Sequence, residues 1–218
     1  MELIVTPVYE LSELSHEAKN KAYTDFYNSN QYDFELIDIK GTLNAFCDIF
    51  DISWKKFDFT QYCSIDYQIN IGYDILEMKG KRLISYLWNN YKNDLFKGKY
   101  LKSKSFEAIP QTKHKYQSFK LSRRNDNKYY WCTYRSNITL ENEAVLTGNY
   151  MDNDILEPIY KILKEYDPHT TFEELINECL NSFLQACKND YEYYYSIEHF
   201  EYMSKENQYF YTEQGKLI

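Results

Sequence analysis

The sequence predicts an α+β fold: a small antiparallel sheet packed with several helices and carrying a basic central insertion. Three observations predict it. Apolar residues recur at helical spacing near both ends of the chain, the period drops to two between Phe57 and Tyr73, and the cations concentrate in the middle. A length of 218 residues suits one α+β domain over 1–218, with 79–135 as a basic insertion or subdomain within it. A composition that is 44% hydrophobic and 27% charged, with 6 Gly and 4 Pro, excludes collagen-like, low-complexity and wholly disordered chains.

Leu3 to Tyr9 is β-branched and aromatic enough for a strand, which Pro7 confines to an edge or a strand end. Ser15 is a fair N-cap with Leu14 before it as a staple residue, and Ala18, Ala22 and Phe26 then repeat at i, i+4 until Asn28-Ser29-Asn30 stops the helix. A second helix is expected from Phe34 to Phe50, with Leu36, Ile39, Leu43, Phe46, Cys47 and Phe50 on one face. From Lys56, Phe57 and Phe59, then Ile65, Tyr67, Ile69, Ile71 and Tyr73 alternate with polar residues, as in an antiparallel pair.

Leu83, Tyr86, Leu87, Tyr91 and Leu95 restore helical spacing and put Lys79, Lys81, Arg82 and Lys92 on or near a solvated helix. Lys97 to Gln111 has no period and is expected to be a loop. Tyr116–Leu121 and Lys128–Arg135 suit two strands joined by a turn at Arg124-Asn125-Asp126-Asn127, and Thr139–Tyr150 suits at least one more. Helices follow over Ile155–Tyr166, Thr171–Tyr195 and Ile197–Met203. A terminal Tyr209-Phe210-Tyr211 strand and a Gln214-Gly215 turn close the chain.

The formal charge of -8 is unevenly spread. Residues 1–78 hold 5 Lys/Arg against 14 Asp/Glu, residues 79–135 hold 15 against 3, and residues 136–218 hold 5 against 16. A cationic segment thus lies between two anionic ones, as expected for a partner or an internal counter-surface. Its Lys and Arg alternate with Tyr86, Trp88, Tyr91, Tyr100, Tyr116, Phe119, Tyr129, Tyr130, Trp131 and Tyr134. Single-stranded nucleic acid requires this mixture, because cations follow the phosphates while aromatic faces stack the bases. The expected nucleic-acid-binding residues are Lys113, Lys115, Lys120, Arg123, Arg124, Lys128, Tyr129, Tyr130, Trp131, Tyr134 and Arg135. The competing readings dock the segment on the protein's own acidic halves, leave it as a solvated face, or give it an acidic protein partner.

Other chemistries find little in the sequence. Asp152-Asp154-Glu157 and Glu173-Glu174-Glu178 are the carboxylate clusters that would let the acidic flanks imitate a phosphate backbone. His16, His114, His169 and His199 lack any nucleophile context, although His114 between two lysines would suit an acid–base group in RNA cleavage. Metal-ligand spacings and a Gly-rich phosphate loop are missing, so no catalytic residue, metal or cofactor is assigned. Cys47, Cys63, Cys132, Cys179 and Cys187 form no C-x-x-C frame and suit buried thiols in a reducing cytoplasm. No signal peptide or spanning run is evident, and a cytoplasmic location in the host cell is expected.

The two ends carry a resemblance. Val8-Tyr9-Glu10-Leu11-Ser12-Glu13-Leu14-Ser15-His16-Glu17-Ala18-Lys19 resembles small phage and mobile-element proteins that begin VYxLxELSxEAKxKA. Tyr191-Glu192-Tyr193, Ser196, and Asn207-Gln208-Tyr209-Phe210-Tyr211-Thr212-Glu213-Gln214-Gly215-Lys216 are similar to that family's closing YEYxxS and NEYxFTExGK. The stretch from Met78 to about Asn127 departs from the family pattern. Such proteins are often labelled antitoxin-like and travel with phages. The resemblance therefore implies an accessory or anti-defence protein with no catalytic residues to transfer. The expected function is a phage-encoded, anti-CRISPR-like inhibitor that binds a host nucleic-acid-guided defence complex, with RNA and a host protein complex as partners and no membrane. The alternative is an antitoxin-like protein that caps a toxin through its acidic surface, and a third reading is an RNA-processing enzyme using His114.

Overall fold

A computed structural model describes residues 7–29, 32–60, 62–109, 119–121 and 130–218; within 33–35 and 101–138 it describes backbone alone. The fold is α+β, as the periodicities predict. A 3-10 turn at Leu11–Glu13 leads into helices α1 (His16–Ser29) and α2 (Asp33–Ile49), followed by strands β1 (Ile52–Asp58) and β2 (Ser64–Ile69). Helices α3 (Tyr73–Leu76) and α4 (Gly80–Leu95) precede strands β3 (Tyr100–Ile109), β4 (Phe119–Leu121) and β5 (Tyr130–Leu140). Helices α5 (Met151–Lys164), α6 (Phe172–Tyr194) and α7 (Ile197–Glu206) complete the order.

The main core forms where the apolar faces of α2, α4, α5 and α6 meet. Leu43, Phe46, Phe50, Leu83, Leu87, Leu95, Ile155, Ile159, Phe172, Ile176 and Phe183 are fully buried there. Each such side chain contributes about 1.5–3 kcal/mol of transfer free energy. Leu83, Leu87 and Leu95 belong to the basic segment, so its first helix is part of this core. Helix α6 begins with a complete capping box: the Thr171 hydroxyl accepts from Glu174 N–H, and the Glu174 carboxylate accepts from Thr171 N–H at 2.8 Å.

β1 and β2 pair antiparallel, but β1 begins at Ile52 rather than near Lys56. A bulge between Trp54 and Lys56 explains the difference. Ile52 and Trp54 have one parity and Phe57 and Phe59 the other, and the extra residue Lys55 lets both pairs face the core. Phe57 stacks on Phe183 of α6 with ring centroids 5.8 Å apart, and the Tyr67 hydroxyl donates to Asn177.

Three other expectations are corrected. Residues 100–109, expected within a loop, form β3, because a strand can be held by a ladder to β5 without any alternation of its own. The Thr139–Tyr150 strand is limited to the end of β5. Beyond it the backbone N–H groups of Leu146, Thr147 and Gly148 turn onto the buried carboxylate of Asp152. The Tyr209–Tyr211 strand reduces to single bridges of Tyr211 with Tyr9 and with Leu217.

That bridge joins the two ends. Leu14, Ala18 and Ala22 on the α1 side form a second small core with Phe200 and Tyr211, and the Ser204 and Tyr211 hydroxyls lie 2.7 Å apart inside it. Ser15 caps α1 as expected, its Oγ accepting from Ala18 N–H at 3.2 Å. Of the N-terminal strand expectation only Pro7 to Tyr9 falls within the described residues, and Tyr9 contributes the bridge.

Burial sets the behaviour of the thiols. Cys179 and Cys187 are packing residues, and burial pushes the Cys47 thiol up to about 12. Because the unfolded thiol ionises first, the folded state should lose stability as pH rises from about 9 toward 12. Tyr91 and Tyr160, also raised by burial, act in the same direction. Urea midpoints measured from pH 7 to pH 11 should fall only above about pH 9; a flat profile would contradict the assignment.

Candidate nucleic-acid interface

Of the expected nucleic-acid residues, Lys113, Lys115, Arg123, Arg124, Lys128 and Tyr129 lie outside the described residues, as do His114 and the turn at 124–127. Lys120, Tyr130, Trp131, Tyr134 and Arg135 have described backbone in a three-stranded sheet of order β3-β5-β4. Its register opposes Lys120 to Trp131, Leu121 to Tyr130, Ser105 to Arg135 and Phe106 to Tyr134. Since successive residues alternate faces, the five residues do not make one ribbon. Trp131, Arg135 and Lys120 fall on one face of the ladder. Tyr130 and Tyr134 fall on the other, with Tyr100, Lys102 and Lys104.

The second of those faces leads back to a basic and aromatic surface with described side chains. Helix α4 buries Leu83, Leu87 and Leu95, so Lys81, Ser85, Trp88 and Lys92, spaced by three or four residues, form its solvent stripe. Trp88 keeps 50% of its surface exposed. Its ring lies 5.6 Å from that of Phe96, which stacks at 6.2 Å on Tyr100, itself 50% exposed. Tyr160 of α5 supports the run from behind, 5.5 Å from Phe96, with its hydroxyl donating to the Leu95 carbonyl at 2.6 Å.

Cations surround these rings. Lys81, Arg82, Lys92 and Lys97 are exposed, and none forms an ion pair with a carboxylate among the described residues. Lys99 is buried, its Nζ 3.8 Å from the centroid of the Tyr160 ring. Burial lowers the Lys99 pKa, an effect that the nearby Glu143 carboxylate opposes. The cation–π contact offsets part of that desolvation, on the order of 2 kcal/mol for a desolvated site. Exposed Asp94, Glu141 and Glu143 are the acidic side chains on the adjoining segments.

The structure sorts the aromatic residues of the basic segment by role. Tyr86 and Tyr91 are packing residues: Tyr91 lies 4.7 Å from Phe50, and Tyr86 meets Phe172 edge-on at 5.8 Å. Trp88 and Tyr100 remain half exposed. Neither is among the residues expected from the densest run of cations. Their signal in the sequence was a tryptophan on the polar side of an amphipathic helix, four residues before Lys92.

The alternative chemistries lose parts in the folded chain. Asp152, expected in an exposed acidic cluster, is fully buried and accepts from three backbone N–H groups and from the Thr42 and Thr147 hydroxyls. Glu174 is committed to its capping box. His199 donates from Nδ1 to the Tyr194 carbonyl at 2.8 Å, and His16 bonds Asn20, so both serve local structure. Among the described residues no group of His, Cys, Asp and Glu has the geometry to hold a metal ion, and no helix is long and apolar enough to cross a membrane.

Comparison with known proteins adds no relative: no family model, curated protein or solved structure matches the chain.

Proposed function

We propose that this protein is a non-enzymatic phage accessory protein that binds single-stranded RNA through its basic and aromatic segment. It acts as an anti-CRISPR-like inhibitor of a host nucleic-acid-guided defence complex. One observation carries the RNA reading: the Trp88–Phe96–Tyr100 run stands half open to solvent beside the exposed cations Lys81, Arg82, Lys92 and Lys97, which form no ion pair among the described residues. Bases stack on such rings in a sequence-tolerant way, and lysines spaced along them neutralise phosphates. A duplex does not offer its base faces, so the partner is single-stranded. The anti-defence role rests on the resemblance of the chain ends to phage proteins.

Titration of a fluorescent single-stranded RNA tests the first part. Trp88→Ala should weaken binding roughly 5- to 150-fold, the equivalent of a stacking contribution of about 1–3 kcal/mol. Reversing Lys92 and Lys97 to Glu should flatten the logarithmic salt slope by at least about 1.4, from two lost phosphate contacts. The Arg123→Glu, Arg124→Glu pair should do the same if the segment binds as one surface. RNA affinity that survives all of these changes refutes the interface. Phage plaquing on hosts carrying a guided nuclease system tests the second part, with protection of the phage lost in the Trp88→Ala variant.

A further inference from the structure

A second aromatic cleft lies away from the basic segment, between the start of α2, the end of β1 and the end of α6. It is an open cleft of about 590 Å³, within the span of about 300–1,000 Å³ typical of small-ligand sites. Its floor is made of Tyr32, Phe57, Phe59, Tyr191 and Tyr195. Tyr191 meets Tyr32, Phe59 and Tyr195 edge-on at centroid distances of 5.4, 5.8 and 4.9 Å, so these rings hold one another at steep angles. The Tyr32 hydroxyl donates to Asp190, which fixes that ring and occupies the carboxylate.

Two lysines from different elements line it. Lys40 lies on α2 one turn beyond Leu36, and Lys56 lies on β1 just past the bulge. Both are exposed, and neither is ion-paired among the described residues, although Lys56 lies 5.6 Å from the centroid of the Tyr62 ring. Residues 1–78 have only 5 Lys/Arg against 14 Asp/Glu, and two of those five meet at this cleft. Asp58 also lines it, its Oδ1 turned back to accept from Thr60 N–H at 2.9 Å and from the Thr60 hydroxyl at 3.1 Å.

A cleft with an aromatic floor and two exposed lysines, whose one lining carboxylate, Asp58, already accepts hydrogen bonds from Thr60, suits a flat, weakly polar ring joined to an anion. A plain hydrocarbon would leave the lysines unused, and a bare phosphate would leave the rings unused. We propose that this cleft binds a nucleoside monophosphate, free or as the phosphorylated end of an RNA strand, with the base against the half-buried Tyr191 and Tyr195 and the phosphate held by Lys40 and Lys56. The site is independent of the Trp88 surface.

Calorimetry of the full chain with adenosine monophosphate tests it, with adenosine and inorganic phosphate as the partial ligands. The monophosphate should bind with a Kd below about 1 mM and at least about tenfold more tightly than either part alone. The Lys40→Glu, Lys56→Glu pair should weaken it by about tenfold or more with an unchanged melting temperature, while Lys55→Glu, beside the site, and Trp88→Ala, outside it, should leave it intact. Displacement of the mononucleotide by a 5′-phosphorylated hexanucleotide but not by its 5′-hydroxyl form identifies a strand end; no displacement identifies the free nucleotide. The proposal is overturned by an absence of binding at about 1 mM, by adenosine binding as tightly as its phosphate, or by equal affinity after the Lys40 and Lys56 reversal. Loss of binding in Trp88→Ala would also overturn it, because the ligand would then belong to the other surface.

Discussion

Replacing Gly215 with Ala should break the join between the two ends of the chain. Gly215 sits at φ +80°, where an L side chain is strained, and a Cβ there would stand 2.0 Å from the Ala18 carbonyl oxygen of α1. That atom belongs to a helix backbone and has no rotamer by which to escape. Left-handed strain of about 1–2 kcal/mol and overpacking of about 1–3 kcal/mol together give a loss of roughly 2–5 kcal/mol. The damage should be local first. Leu14, Ala18, Ala22, Phe200 and Tyr211 form a core separate from the main one, so hydrogen exchange should accelerate in α1 and α7 before α5 and α6 respond. Gly41→Ala is the control, since it lies inside α2 with nothing within 4 Å of its added Cβ. It should gain about 0.5–1 kcal/mol. Equal and unchanged stability in both variants would refute this account of the join.

Asp152→Ala should cost more than most surface substitutions can. The side chain is fully buried, and its Oδ2 accepts from the N–H groups of Leu146, Thr147 and Gly148 at 2.9, 2.7 and 3.0 Å. Its Oδ1 takes the hydroxyls of Thr42 and Thr147 at 2.8 and 2.9 Å. Removing the carboxylate leaves the buried Thr42 hydroxyl and the half-buried loop donors without their acceptor, at about 1–3 kcal/mol for each that water does not reach. A total loss of about 3–5 kcal/mol is expected in urea unfolding. Asp152→Asn should recover little, because an amide nitrogen cannot accept where the carboxylate does. Thr42→Val, which removes one donor and keeps the shape, should cost only about 1 kcal/mol. Equal effects of Thr42→Val and Asp152→Ala would show that the carboxylate does not organise the loop.

Much of the helical architecture was legible because a helix that buries one face writes that face into the sequence at fixed spacing. Leu36, Ile39, Leu43, Phe46, Cys47 and Phe50 announced α2, and Ser15 announced the start of α1 through its cap. The strands were less legible. The bulge after Trp54 reverses parity within β1, so only its second half alternated with β2 in the expected sense. β3 has no alternation to display, since its partner is chosen by the ladder with β5. Asp152 misled for a related reason. A carboxylate beside Asp154 and Glu157 looks like part of an acidic surface, and only the folded loop turns three N–H groups onto it.

The sequence alone determined the α+β class, the helix faces and the separation of charge into a basic centre and acidic flanks, because each depends on residue type and spacing along the chain. Tertiary structure decided which aromatic residues of the basic segment pack inward and which remain open, and brought Gly215 onto Ala18 across almost the whole chain. Those outcomes depend on contacts between residues far apart in the sequence. Spacing within one element cannot encode what another element will cover.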